Sequence, residues 1–128
     1  MKLHLFFSHR LTPDQEEDAK KSLGVEEFVY LPPHLQELFS NVPPQLDSLS
    51  EYIEPFLKYL MKNANRKDYI LIQGDFGLTV RLVDFSMATG LIPIYATTKR
   101  DVVEIEENGK KVRISKFKHV KFRRYYDE

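Results

Sequence analysis

The stretch Asp68-Tyr69-Ile70-Leu71-Ile72-Gln73-Gly74-Asp75-Phe76-Gly77 constrains the fold more than any other part of the chain. Tyr69 to Ile72 is an unbroken apolar and aromatic run, and it stops at Gln-Gly-Asp-Phe-Gly. A run without alternation has both faces buried, which is how a central strand of a parallel sheet reads. Gly74 and Gly77 suit a turn whose backbone comes close to a ligand or takes positive φ. From Leu78 the apolar residues recur at helical spacing, so the unit is strand, polar turn, helix. Ligands of open α/β sheets bind outside the carboxyl ends of the strands. This turn is therefore read as one wall of a candidate site.

The rest of the chain supplies similar units. Lys2–Phe7 reads as a strand ending at Ser8-His9-Arg10. Thr12-Pro13-Asp14-Gln15 is a helix start with a capping box and proline at the first helical position, and Gly24 is its stop. Phe28–Leu31 is a second short strand, closed by Pro32-Pro33, with one or two helical turns over 34–39. Asp47–Ser50 opens what reads as the longest helix, reaching Asn63. Its apolar stripe is Leu49, Ile53, Phe56, Leu57, Leu60 and Met61, with a kink or a late start at Pro55. A helix over 76–89 buries Leu78, Leu82, Phe85 and Met87 and ends at Gly90. Leu91–Ala96 is a fourth strand, placed at a sheet edge by Pro93 and ending at Thr97-Thr98-Lys99-Arg100. The order βαβαβαβ predicts an α/β fold with a mostly parallel sheet flanked by helices. Alternation over 102–106, Asn108-Gly109 and alternation over 112–114 predict a C-terminal β-hairpin extension. The chain of 128 residues is read as a single domain, with a core over 1–100 and a basic extension over 101–128.

Composition excludes several function classes. Cysteine is absent, which removes disulfides, thiol chemistry and cysteine metal sites. His4, His34 and His119 show no metal-ligand spacing, so no metal and no cofactor is expected. No run approaches bilayer length, and residues 1–7 are too short for a signal-peptide core. The chain is accordingly read as cytoplasmic, with no membrane partner. A net charge of zero hides an asymmetry: 14–54 is mostly acidic, whereas 110–124 holds Lys110, Lys111, Arg113, Lys116, Lys118, Lys121, Arg123 and Arg124 without an acid. Such a block points to an anionic partner or to a solvated edge.

In a parallel sheet the strand ends collect Ser8-His9-Arg10, Leu31-Pro32-Pro33, Gln73–Gly77 and Thr97–Arg100 on one edge. Three of these turns carry the hydroxyls, amide, glycines and cations that phosphate groups need. Neither a P-loop nor the dinucleotide fingerprint is present. Each candidate also has a bland reading. His9 can be a polar strand end, although it is the one candidate that titrates near neutrality. Asp75 by spacing alone is a helix N-cap. Ser8 can bond local backbone, Gly74 and Gly77 can serve only the turn, Thr97 and Thr98 can end a strand, and Lys99 and Arg100 can be solvated. The tail, with Phe117, Phe122, Tyr125 and Tyr126, fits either a single-stranded nucleic-acid surface or a hairpin with a solvated face.

Four segments, taken together, resemble a known family: Phe7-Ser8-His9-Arg10-Leu11-Thr12, Tyr30-Leu31-Pro32, Leu71–Gly77 and Ile92–Arg100. They are similar to the small stand-alone ring nucleases of type III CRISPR systems, which are related to CARF domains. The resemblance covers residues 1–100 and leaves the basic tail unmatched. It implies a Rossmann-like (CARF-like) homodimer that binds a cyclic oligoadenylate, most simply cyclic tetraadenylate, and opens the ring without a metal. On that basis His9, Arg10 and Arg100 are the expected catalytic residues. Ser8, Gln73, Gly74, Asp75, Phe76, Gly77, Thr97, Thr98 and Lys99 are the expected substrate-binding residues. No long nucleic acid is expected. The rival readings are a cyclic oligonucleotide or nucleotide sensor without cleavage, and a small RNA-binding protein that uses the tail.

Overall fold

The computed structural model of the protein describes residues 1–127. The elements run β1 (Lys2–Phe7), α1 (Pro13–Leu23), β2 (Glu27–Tyr30), α2 (Pro33–Ser40), α3 (Glu54–Asn63), β3 (Tyr69–Gln73), α4 (Phe76–Thr89), β4 (Ile92–Glu107) and β5 (Lys110–Arg124). One five-stranded sheet has the order β2-β1-β3-β4-β5. The β1/β2, β1/β3 and β3/β4 pairs are parallel, and β4/β5 is antiparallel. The sheet is thus mixed, not mostly parallel as the element order suggested. The cause is local. Thr97-Thr98-Lys99-Arg100 contains no breaker, so β4 continues through it and, after one register shift between Thr97 and Thr98, pairs with β5 as far as Glu107↔Lys110. The hairpin is the outward continuation of a sheet strand. Its Asn108-Gly109 turn has φ of 54° and 74°, the left-handed pair that a two-residue hairpin loop requires.

Helices cover both faces. Leu3, Leu5, Tyr69, Leu71 and Ile94 pack with Ala19 of α1 and with Phe122. Phe6, Ile70 and Ile72 pack on the other face with Leu35 and Phe39 of α2, Phe56 and Leu60 of α3, and Leu78 and Leu82 of α4. The alternation within β1 and β3 sends successive side chains to opposite clusters. Each fully buried side chain of this kind contributes about 1.5–3 kcal/mol, so the central strand anchors both layers.

Three local expectations change. The helix expected to open at Asp47–Ser50 takes the late start allowed for at Pro55 and begins at Glu54, with Pro55 in its first turn, where the missing N–H costs nothing. The longest helix is α4 instead, and Met61 and Met87 are exposed. Pro93 lies in an interior strand rather than at an edge. Its carbonyl accepts from Tyr125 N–H at 3.1 Å, on the β5 side. A strand residue points its N and its C=O the same way, so the missing donor leaves the β3 pairing intact.

At the opposite end from the candidate site, buried Asp68 ties β1 to β3. It accepts from the Lys2 N–H at 3.2 Å, His4 Nε2 at 3.0 Å and the Asn65 N–H at 3.0 Å. Burial pushes the Asp68 carboxyl up, but hydrogen bonds from Asn65, His4 and Lys2 outweigh it and hold the group below its usual range. His119 of β5 meets Asp18 of α1 at 2.7 Å, which fixes the base of the hairpin to the helix layer.

Candidate functional site at the carboxyl edge of the sheet

The chain leaves β1 in one direction, through α1 to β2, and returns on the other side through α2 and α3 to β3. The crevice between the ends of β1 and β3 is therefore a topological switch point, the usual ligand position in such sheets. Phe7 is in register with Gln73. Gln73 Oε1 accepts the Ala96 N–H at 2.7 Å, so a side chain extends the β3/β4 ladder by one step. The next residues, Ser8, Gly74 and Thr97, consequently form a row across three strands.

The flanking side chains are held in specific ways. Ser8 Oγ accepts from Ser40 Oγ at 3.1 Å, and Gln36 Nε2 donates to the Phe7 carbonyl at 2.9 Å. Helix α2 thus holds the exit of β1. His9 is exposed, with its ring edge-on to Phe7 at 5.4 Å. The Arg10 guanidinium lies over the Tyr30 ring at 4.1 Å, and Tyr30 Oη accepts the Leu11 N–H at 3.2 Å. Stacking leaves the guanidinium donors free to take an anion. Asp75 caps α4 by accepting the Leu78 N–H at 3.0 Å. Its carboxylate occupies the start of the helix, so a phosphate is better served by Arg10 and the lysines of β4 and β5 than by α4. Phe76, 90 % exposed, stands beside it as an open aromatic face.

Gly74 and Gly77 do not take positive φ, so of the two roles expected for them only close approach is left. A Cβ on Gly74 would lie 2.6 Å from Phe39 Cζ; the glycine is there because the core ring passes beneath it. A Cβ on Gly77 would come within 3.3 Å of Leu49. Beyond the row, a cleft of about 430 Å³ is lined by Gln73, Gly74, Phe76, Thr79, Val80, Tyr95 and Tyr125. The Tyr125 hydroxyl donates to the Ile72 carbonyl, and burial, then the neighbouring Tyr95, raises its pKa.

Two comparisons with known proteins bear on the chain. A family model described as "Uncharacterized protein MJ1673 family" matches residues 1–123. The chain belongs to this family. It is 52 % identical over 124 residues to "Uncharacterized protein MJ1673" of Methanocaldococcus jannaschii, an alignment covering 97 % of this chain and 96 % of the relative. No solved structure matches it.

The family match spans every strand end at the site. The structure brings together Ser8, His9, Arg10, Gln73, Gly74, Asp75, Phe76, Gly77 and Thr97 around the β1, β3 and β4 positions of the edge. Thr97 Oγ1 is engaged with the backbone of Lys121, donating at 2.9 Å and accepting at 3.2 Å. Thr98, Lys99 and Arg100 sit further out on β4, and Arg100 Nε and Nη2 donate to Ser115 Oγ at 3.2 and 3.0 Å. Arg100 therefore points along the hairpin and is not gathered with His9. Gln36 and Ser40 act through tertiary contacts and carry no signal along the sequence. Tyr30 and Tyr95 lie in the segments that carry the resemblance and Tyr125 in the aromatic tail, but none of the three was expected at this site. A cationic strip runs beside the row: Lys121 is paired with Thr97, Arg123 with Tyr95, and Lys118 directly with Lys99. Among the described residues no group of three His, Asp or Glu is placed to hold a metal, and no helix is long and apolar enough to cross a membrane.

Proposed function

We propose that this protein is a ring nuclease that binds and opens a cyclic oligoadenylate, cyclic tetraadenylate first among them, in the cytoplasm. The observation that carries the reading is the switch-point row Ser8–Gly74–Thr97, with exposed His9 and stacked Arg10 beside it and the Lys99/Lys118 pair further out on the hairpin. Like charges directly opposite on a ladder destabilise it, and a phosphate between them offsets that cost. Phe76 and the Tyr95/Tyr125 pair, whose ring centroids lie 4.8 Å apart, are faces on which adenines stack. The parallel order β2-β1-β3-β4 suits the Rossmann-like, CARF-like core that the sequence resemblance implies.

In the proposed reaction a ribose 2′-hydroxyl attacks the adjacent phosphorus in line. The P–O5′ bond breaks, a 2′,3′-cyclic phosphate remains on one end and the 5′-oxygen leaves with a proton. No metal is called on. His9 supplies that proton or takes the one from the attacking 2′-hydroxyl, and Arg10 neutralises the phosphoryl oxygens. A ring of four identical nucleotides has two-fold symmetry, so two copies side by side across a dyad complete the pocket. The test is incubation with rings of several sizes in EDTA. Linear products with a cyclic phosphate end are expected. Rings that co-elute unchanged with the protein would make it a sensor, and retention of RNA without ring binding would favour the basic tail as the active surface.

A further inference from the structure

Beyond the sheet edge, β4 and β5 continue as a two-stranded ribbon. Every residue from 98 to 118 is exposed. From Lys99 to Glu107 the ribbon extends about 30 Å at strand rise. Two strands with nothing packed on them are marginal in water, so a ribbon of this length is built to be covered.

Its pairing shows by what. Val103 is opposite Ile114 and Ile105 opposite Val112, so four β-branched side chains share one face near the tip. They are 36–39 % exposed. The other face mixes Arg100, Val102, Glu104 and Glu106 with Phe117, Ser115, Arg113 and Lys111. The strands differ in sign beyond Lys99 and Arg100 at the base of β4: β4 carries Asp101, Glu104, Glu106 and Glu107, while β5 carries Lys110, Lys111, Arg113, Lys116 and Lys118. Of these, Asp101 and Glu107, opposite Lys116 and Lys110, share the apolar face. A nucleic acid lying along the ribbon would meet the acidic strand as well as the basic one, which disfavours it. A second copy meets both correctly. If two ribbons stack by their apolar faces about a dyad parallel to their length, the acidic strand of each lies over the basic strand of the other. A dyad across their length would set like over like.

We infer that the Val103, Ile105, Val112 and Ile114 face docks on the same face of a second copy of this chain, forming a four-stranded sandwich above the carboxyl edge. The inference rests on the two-fold pairing proposed above but not on the ring chemistry. The ribbon dyad runs along the strands, as side-by-side carboxyl edges require. Four residues a side are fewer than a stable interface needs, so the ribbon adds to contacts made by the body.

The chain has no cysteine, so a single nitroxide at Glu106→Cys reports on the ribbon tips of the full-length protein. Stacked ribbons about 10 Å apart place paired labels within about 20–30 Å of each other. Ile114→Glu, which sets an acid opposite the partner's acidic strand, is expected to weaken the dimer by about tenfold or more, and Val102→Lys on the other face by less than about twofold. A monomeric wild-type protein would overturn the inference together with the two-fold pocket. A dimer with tips beyond about 50 Å, or one indifferent to Ile114→Glu, would overturn the ribbon contact alone, even if rings still bind.

Discussion

Replacing Gly74 by Ala tests what shapes the wall of the site. The new Cβ would lie 2.6 Å from Cζ and 2.8 Å from Cε2 of Phe39. That ring cannot swing away, because it is 2 % exposed and packs edge-on against Phe6 at 5.9 Å and Phe56 at 6.2 Å. Overpacking of this kind costs about 1–3 kcal/mol. At fixed protein concentration the urea midpoint should fall by about 0.5–2 M, with Tm lower by about 4 °C per kcal/mol. Phe39→Leu alone removes ring volume and should cost about 1–2 kcal/mol, less than a Phe→Ala truncation. In the double variant the methyl enters the space the ring left. Its loss should stay near that of Phe39→Leu alone, a coupling of about 1 kcal/mol or more. If Gly74→Ala is neutral in stability yet abolishes ring binding, the glycine serves the ligand and not the core. If both losses simply add, Phe39 is not the obstacle.

Three further outcomes are expected. Arg10→Ala should weaken ring binding by about tenfold or more, because it removes a clamp worth about 1.5–3 kcal/mol; a fluorescence titration with a labelled ring measures it. Phe76→Ala should also lower affinity, by the roughly 1–3 kcal/mol of one lost stacking face, with stability within about 0.5 kcal/mol because the ring packs on nothing. The Asp68 carboxyl is lowered in the folded chain, so the unfolded chain binds its proton more readily. Its contribution is complete above the ordinary carboxylate value of about 4 and is lost as pH falls through the lower folded value. Acid titration followed by circular dichroism should show Asp68→Asn less stable at pH 7 and the difference shrinking below about pH 4.

The parts of the fold that the sequence displays are those governed by local physics. The capping box at Thr12–Gln15, the glycine stops at Gly24 and Gly90 and the Asn108-Gly109 turn each depend on neighbours within a few residues, and each forms as expected. The unbroken run Tyr69–Ile72 marks the central strand for the same reason. Strand pairing is not local. Thr97–Arg100 resembles a strand end in composition, yet nothing in it stops β4 from pairing with a distant β5. That one continuation makes the sheet mixed and carries Thr98, Lys99 and Arg100 outward. At the site, Ser8, His9 and Arg10 lie where the strand end put them. The side chains that hold them, Gln36, Ser40 and Tyr30, come from other elements and show no pattern along the chain. Gly74 was legible as a special position but not as a packing one, because the Phe39 ring that requires it lies 35 residues earlier.

The most direct test of the central claim is single-turnover cleavage of cyclic tetraadenylate in EDTA by wild-type protein and by His9→Ala, with affinity measured in parallel. His9 is exposed and meets only the edge of Phe7 in the aromatic contacts, so its removal should leave folding and binding nearly unchanged. The account predicts linear product from the wild type and a rate about 10²–10⁴-fold lower in the variant, the range for a general acid or base. Cleavage by His9→Ala at the wild-type rate would contradict the assignment of His9, and an intact ring after incubation with active, folded wild-type protein would contradict the proposed activity itself.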